Sequence, residues 1–398
     1  MKKKLLLLII SSHFALMSHQ VEFLYPVGAL AREETEELCT IYQKGSNLEL
    51  WFWNPETKLT TKGLLSSFTP AGLKILPNGQ GFSFVDNDRV RVKMLNKRSP
   101  KTLDFYGPYD FSVIHWIDNS SFYFSAKERN HFNIFHGTKG GDLWRLTAST
   151  SAHFLYPQKV EDSLFFIVEN ENKQTAICSA SYPLHLMEKK KTTRKADFNE
   201  TLKIILEDTY PESFSPFIST DSIKELLSFE EETTISFLKM LDEKTGFYLK
   251  HPSSVTRTDE RVNFSYYTFF EDDKKTWNSK ELFSFELPLS LIMTKFSSET
   301  RLYESILPLL PFHDTNGDDL YFSHLEDSGA VNVFCYSLNS KKQAQKTFGK
   351  APGETYFPPR RYKNNLYCGG LVHPPEEELF PQIYIDIDDQ QHFTFLKI

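Results

Sequence analysis

Two stretches decide the fold. They are Trp116-Ile117-Asp118-Asn119-Ser120-Ser121-Phe122-Tyr123-Phe124 and Met240-Leu241-Asp242-Glu243-Lys244-Thr245-Gly246-Phe247-Tyr248-Leu249. Each passes from an apolar strand end through an Asp and a short polar turn into an aromatic strand, the pattern of a β-hairpin. Five other places echo it. Asn78-Gly79 precedes Phe82-Ser83-Phe84, Glu161-Asp162-Ser163 precedes Leu164-Phe165-Phe166, and Asn316-Gly317-Asp318 precedes Leu320-Tyr321-Phe322. Asn364-Asn365 precedes Leu366-Tyr367-Cys368, and Glu36-Glu37 precedes Leu38-Cys39-Thr40-Ile41.

The first apolar residues of these strands are Leu38, Phe82, Phe122, Leu164, Phe247, Leu320 and Leu366, spaced by 44, 40, 42, 83, 73 and 46 residues. Four of the six intervals match one four-stranded propeller blade. The two long ones must carry insertions or hide another blade. Leu164–Val168 and Leu320–Phe322 are apolar on both faces, as strands sandwiched between neighbouring sheets must be. Phe23-Leu24-Tyr25-Pro26 recurs as Phe154-Leu155-Tyr156-Pro157 ahead of a hairpin, where a first strand belongs. The expectation is all-β: a β-propeller of about seven four-stranded blades, with six or eight as alternatives. It occupies 21–398 as one domain.

Composition agrees. Aromatics make up 15% of 398 residues, with 35 Phe and 18 Tyr, and such side chains favour pleated, half-buried surfaces. Lys2-Lys3-Lys4, the apolar run Leu5–Ile10 and the resumption at Phe14–Met17 read as a secretory signal peptide over 1–20, with an uncleaved anchor as the alternative. Its loss would remove three Lys and no acid, taking the formal charge from −7 to −10. That acidity opposes nucleic-acid binding, which needs basic patches. No later segment is apolar enough to span a membrane, so the expected location is periplasmic or secreted.

Residues 188–232 depart from the pattern, with Lys189-Lys190-Lys191, Arg194-Lys195 and a possible short helix around Ser222–Phe229. They read as an insertion in or after the fourth blade. Cys39, Cys178, Cys335 and Cys368 form no CxxC pair and read as buried free thiols. Cys39 and Cys368 fall on equivalent strands of the first and last blades, neighbours in a closed ring, and adjacent blades usually sit farther apart than the roughly 7 Å between Cα atoms that a disulfide spans.

The stretch Phe312–Leu338 joins the Asn316-Gly317 turn, a Leu-Tyr-Phe strand, a turn at Asp327-Ser328-Gly329 and Val333-Phe334-Cys335-Tyr336-Ser337-Leu338. It resembles the repeats of exported TolB-like propellers, relatives of the WD-repeat propellers. Thr69-Pro70-Ala71-Gly72-Leu73 is similar to the family's Ser-Pro-Asp-Gly-Lys turn without its Asp. The resemblance implies a propeller over nearly the whole mature chain. TolB also carries an N-terminal α/β domain, for which there is no room here, so its role in outer-membrane upkeep does not carry over.

The sequence contains no GxSxG elbow, HExxH or phosphate loop. Asp314-Thr315-Asn316-Gly317-Asp318-Asp319 has the Gly at the wrong place for a calcium loop and aligns with the hairpin turn. His115, His131, His136 and His153 lie on strands of one region, where most would face different ways, so no metal is expected. Trp51 and Trp53 share one strand face and read as packing residues. Arg360-Arg361 follows Tyr356-Phe357-Pro358-Pro359 on what should be an innermost strand. Alternation would send one Arg toward the central channel and the other into a blade interface, where it would need a partner. The candidate funnel-lining set is Arg360, Arg361, Tyr356, His313 and Asp314.

No cofactor is expected. The leading function is a monomeric scaffold for a protein or peptide partner in the cell envelope. The alternative is a propeller enzyme, carbohydrate-active or lactonase-like, with its site in the funnel.

Overall fold

A computed structural model describes residues 22–32, 35–44, 47–54, 56–57, 60–63, 74–86, 89–94, 101–103, 110–128, 131–140, 142–149, 151–183, 216–230, 233–252, 261–289, 310–316, 318–371, 382–386 and 392–395. The signal segment at 1–20, the turn at 69–73 and 184–215 of the expected insertion lie outside the described residues.

The described residues form seven four-stranded antiparallel units, each a meander of consecutive strands. The first contains β1 (Glu22–Arg32), β2 (Thr35–Lys44), β3 (Asn47–Trp53) and β4 (Thr60–Gly63). The second contains β5 (Lys74–Ile75), β6 (Gly81–Asp86), β7 (Arg89–Met94) and β8 (Lys101–Leu103). The third has β9 (Asp110–Trp116), β10 (Ser121–Glu128), β11 (His131–Thr138) and β12 (Leu143–Arg145). The fourth has β13 (Ala152–Val160), β14 (Ser163–Asn170), β15 (Thr175–Ser181) and β16 (Lys224–Phe229). The fifth has β17 (Thr233–Met240), β18 (Thr245–Pro252), β19 (Arg261–Glu271) and β20 (Trp277–Pro288). The sixth holds β21 (Phe312–Asp314), β22 (Asp319–Leu325), β23 (Val331–Ser337) and β24 (Gln343–Gln345). The short β25 (Thr355–Tyr356) leads to the seventh: β26 (Arg360–Tyr362), β27 (Asn365–Leu371), β28 (Gln382–Asp386) and β29 (His392–Phe395). A single parallel pair, Val331 with Thr355, joins the last two units into one nine-stranded sheet.

All seven anchor residues fall on second strands, and all are buried: Leu38, Phe82, Phe122, Leu164, Phe247, Leu320 and Leu366. On β10, Phe122 through Ala126 are buried without interruption, as are Leu164 through Ile167 on β14. The cores lie between sheets rather than within them. One cluster joins Leu76 and Val92 of the second unit to Ile114, Phe122 and Phe135 of the third. Another joins Ile134 and Trp144 of the third to Phe154, Leu164 and Phe166 of the fourth. Between the fifth and sixth units, Phe283 stacks on Phe322 with centroids 4.1 Å apart. The ring closes where β1 packs on β26 and β27. There the Trp53 ring meets Tyr367 edge-on at 5.3 Å, and Lys363 Nζ pairs with Glu56 Oε1.

The two matched hairpins share their hydrogen bonds. Ile117 N donates to Ser121 O and Leu241 N to Thr245 O, both at 2.9 Å. Asp118 Oδ1 accepts from Ser120 N and Ser121 N, and Asp242 Oδ1 accepts from Lys244 N at 2.7 Å. An Asp whose side chain mimics the next turn of backbone fixes such a loop. The end of the third strand then ties each hairpin down: Lys139 N to Ser120 O, Tyr182 N to Asp162 O, Glu271 N to Lys244 O and Leu338 N to Asp318 O. These bonds make Gly246, rather than Phe247, the equivalent of Phe122.

One expectation is corrected. Residues 224–229 form a strand, not a helix, preceded by a single 3₁₀ turn at Thr220–Ser222. β16 pairs with the otherwise open edge of β15, from Thr175↔Phe229 to Ser179↔Lys224, and that ladder outweighs local helix propensity. The insertion therefore falls between the third and fourth strands of the fourth unit. All four cysteines are buried free thiols. Burial raises the Cys178 thiol to about 12 and the Cys335 thiol to about 11. Trp51 and Trp53 are buried.

Candidate functional site

The register of the first hairpin in each unit defines a layer around the axis. Opposite the second residue beyond the turn stand Lys74 (paired with Ser83), His115 (Tyr123), Gln158 (Phe165), Lys239 (Phe247), Phe312 (Tyr321) and Arg360 (Tyr367). In the first unit, whose hairpin is longer, the backbone position paired with Cys39 is Gly28. Equivalent places on innermost strands bring these side chains to one level of the ring. Two contacts between neighbouring units confirm it. His115 Nδ1 and Gln158 Nε2 are 3.4 Å apart, and the Arg360 guanidinium lies over the Phe312 ring at 5.1 Å, a cation–π arrangement.

The layer is cationic. Burial, with Arg360 second, lowers Lys74 to about 8, and the same causes in the same order lower Lys239 to about 8. Those lysines belong to the second and fifth units, on either side of the seventh, so the Arg360 guanidinium must project toward the axis. Burial lowers Arg360 itself to about 10. Its Nη1 donates to Pro359 O at 2.8 Å. Burial and then Lys74 push His115 down to about 3, leaving a neutral ring.

Arg361 points the other way. Its Nε donates to Asp314 Oδ1 at 2.8 Å, its Nη2 pairs with Oδ2, and its Nη1 donates to Asn364 O at 2.7 Å. Asp314 belongs to the sixth unit and Arg361 to the seventh, so this is a two-pronged ion pair between units. It also commits Asp314 to Arg361 rather than to a calcium loop. His313 is buried, with its ring 5.5 Å from Phe247 of the preceding unit. Burial, then Lys239, lowers its pKa, while Asp318 and Asp314 oppose the change. Tyr356 packs between units, its ring set against Gly370 and Gly349, which have no room for a Cβ. Of the five candidates, Arg360 is thus on the axial layer, His313 adjoins it, and Arg361, Asp314 and Tyr356 join units together.

Sequence reading missed Lys74, His115, Gln158, Lys239 and Phe312 as a set. Counting back from each hairpin turn would have found them. The four His near the third unit separate: His136 Nδ1 pairs with Tyr182 Oη, His153 Nδ1 accepts from Phe132 N at 3.2 Å, and His131 lies 5.3 Å from the His153 ring. Among the described residues, no group of three or more His, Cys, Asp or Glu side chains is placed to hold a metal ion.

The hairpins above this layer share one face. Asn78 N donates to Asn119 Oδ1 at 2.9 Å, and Ser163 Oγ to Glu243 Oε1 at 3.1 Å, each bond linking neighbouring units. The exposed rim carries Asp118, Glu161, Asp162, Asp242 and Asp318.

No protein-family model matches the chain, and no curated protein sequence matches it. Solved structures do. A puromycin-hydrolysing peptidase of Mycobacterium tuberculosis is 8% identical with a TM-score of 0.54, over 93% of this chain and 53% of that one. A prolyl endopeptidase is 10% identical with a TM-score of 0.51, over 95% of this chain and 50% of that one. A putative TolB from Agrobacterium tumefaciens is 10% identical with a TM-score of 0.41, over 67% of this chain and 90% of that one. The chain thus spans about half the length of the two peptidases it resembles, and what it has in common with them is the propeller-like arrangement of small β-sheets.

Proposed function

We propose that this chain is an exported propeller scaffold that binds a protein or peptide partner in the cell envelope through its hairpin face. The observation that carries the reading is the linked rim itself. Side-chain and backbone hydrogen bonds fix the described loops of the third to sixth units, and the Asn78–Asn119 and Ser163–Glu243 bonds fix loops to one another. A pre-ordered face loses little entropy on docking, and polar groups presented on rigid loops are where binding concentrates. Its acidic side chains suit a partner with a basic patch. Export rests on the Lys2–Met17 pattern. No helix among the described residues is long and apolar enough to cross a membrane.

The test is retention of an envelope protein by the immobilised mature chain, compared with a variant carrying Asp118→Lys, Glu161→Lys and Asp242→Lys. The scaffold reading expects a partner that the wild type holds and the variant releases. Equal retention by a folded variant would refute it. The enzyme alternative needs paired carboxylates or a metal in the funnel, whereas the described axial layer presents Lys, His, Gln and Arg.

A further inference from the structure

We propose that the axial layer is an oxyanion-binding site, in which Lys74, Lys239 and Arg360 converge on one phosphate, sulfate or carboxylate group, with His115 and His313 as neighbouring donors. This goes beyond the docking face and uses different residues.

The geometry comes first. Three cations from the second, fifth and seventh units occupy one register level, which carries no carboxylate. Among the described residues, neither lysine has an ion-pair partner. Two acids of the neighbouring sixth unit are engaged or exposed: Asp314 is held by Arg361, and Asp318 is exposed at the rim, 3.8 Å from His313 Nε2. Two histidines leave hydrogen-bonding capacity unused. His115 Nε2 and His313 Nδ1 are buried with no hydrogen bond, and His313 Nε2, on a side chain only 4% exposed, has none either beyond the 3.8 Å approach of Asp318.

Physical chemistry says what such a place requires. Partly buried cations without counter-charges repel one another and lose hydration. The depressed values of Lys74 and Lys239 register that cost. An oxyanion at the axis offsets it and gives the ring nitrogens that lack hydrogen bonds an acceptor. Arg and Lys together suit such a group: the guanidinium offers a planar fork, and the ammonium groups act as point charges. Among the described residues, Phe312 and Gln158 share the level and Tyr123 lies opposite His115, its hydroxyl kept protonated to about 12 by burial. None competes for the anion.

The test is calorimetric titration of the full chain with inorganic phosphate, with sulfate and with a short Asp-terminated peptide, against chloride at matched ionic strength. Wild type should bind at least one probe saturably. Arg360→Gln, Lys74→Met and Lys239→Met should each weaken that binding at least about tenfold, while Lys363→Gln on the rim should not. Affinity should also fall between about pH 7 and about pH 9.5, as the two lysines lose their protons. Binding of the inorganic ions identifies a free-anion site, and binding of the peptide alone identifies a carboxylate carried by a chain. No saturable binding of any probe, or binding unchanged in the three folded variants, would overturn the proposal. Near-ultraviolet dichroism checks folding, and the rim variant keeps a failure here separate from failure of the docking reading.

Discussion

Arg361 of the seventh unit grips Asp314 of the sixth with two nitrogens, and the carboxylate it holds is almost wholly buried, 5% exposed. Removing the arginine strands that charge. Arg361→Ala should cost roughly 2–4 kcal/mol in denaturant unfolding, because an unpaired buried carboxylate is far worse than a missing pair. The double variant Arg361→Met/Asp314→Leu should recover most of the loss. A single variant as stable as wild type would contradict the pairing.

Lys74 should behave in the opposite sense. Its ordinary value of 10.5 falls to about 8 in the folded chain. Between those values the unfolded chain binds more protons, so for this group stability rises as pH rises from about 8 to about 10.5. At neutral pH the charged lysine is a burden, and Lys74→Met should stabilise the anion-free protein by roughly 1–2 kcal/mol, discounted for partial exposure. Thermal melts in chloride buffer decide it: a lower melting temperature for the variant would be incompatible with an unpartnered cation.

Acid should weaken the fold through its buried imidazoles. Burial lowers His136 and His251 from 6.5 to about 4. Below 6.5 the unfolded chain takes up protons that the folded chain refuses, so stability is lost as pH falls from about 6.5 to about 4. His136→Gln should flatten that slope. Unfolding free energies at pH 7, 5.5 and 4.5 would show it, and parallel curves for the two proteins would speak against a neutral buried His136.

Gly246 should tolerate no side chain. A Cβ there would lie 2.6 Å from Phe269 Cε1 and 2.8 Å from Met240 Sδ. Gly246→Ala should destabilise by about 1–3 kcal/mol through overpacking, and adding Phe269→Leu should relieve part of it. Additivity of the two changes in chemical melts would disprove the clash.

The second strands were readable because burial on both faces leaves an apolar run that no solvent alternation interrupts. Gly246 explains the one-residue slip at Phe247: the space that Phe122 fills in its own unit is taken in the fifth by Phe269 and Met240. Lys224–Phe229 misled because its composition suits a helix, while the open edge of β15 dictates a strand. The axial layer was opaque for a different reason. Its members share a position and no residue type, and they sit on strands as short as Lys74–Ile75, too brief for any periodicity to show. Arg360 alone was signalled, by the doubled arginine. A second repeated device also escaped notice. Thr147 Oγ1 accepts from Ile134 N and Thr347 Oγ1 from Val333 N, both at 2.9 Å, beside buried Asn133 and Asn332. Asn and Thr fourteen or fifteen residues apart carry no local signature.

The joint between the seventh unit and the first behaves differently from the other six. Those are crossed by the chain itself, whereas here β1 lies against β26 and β27, and the side-chain contacts come from Trp53 of β3 on Tyr367 and from Lys363 on Glu56. Among the described residues, no strand pairing joins the first unit to the last, so that seam is held by the aromatic pair and the ion pair.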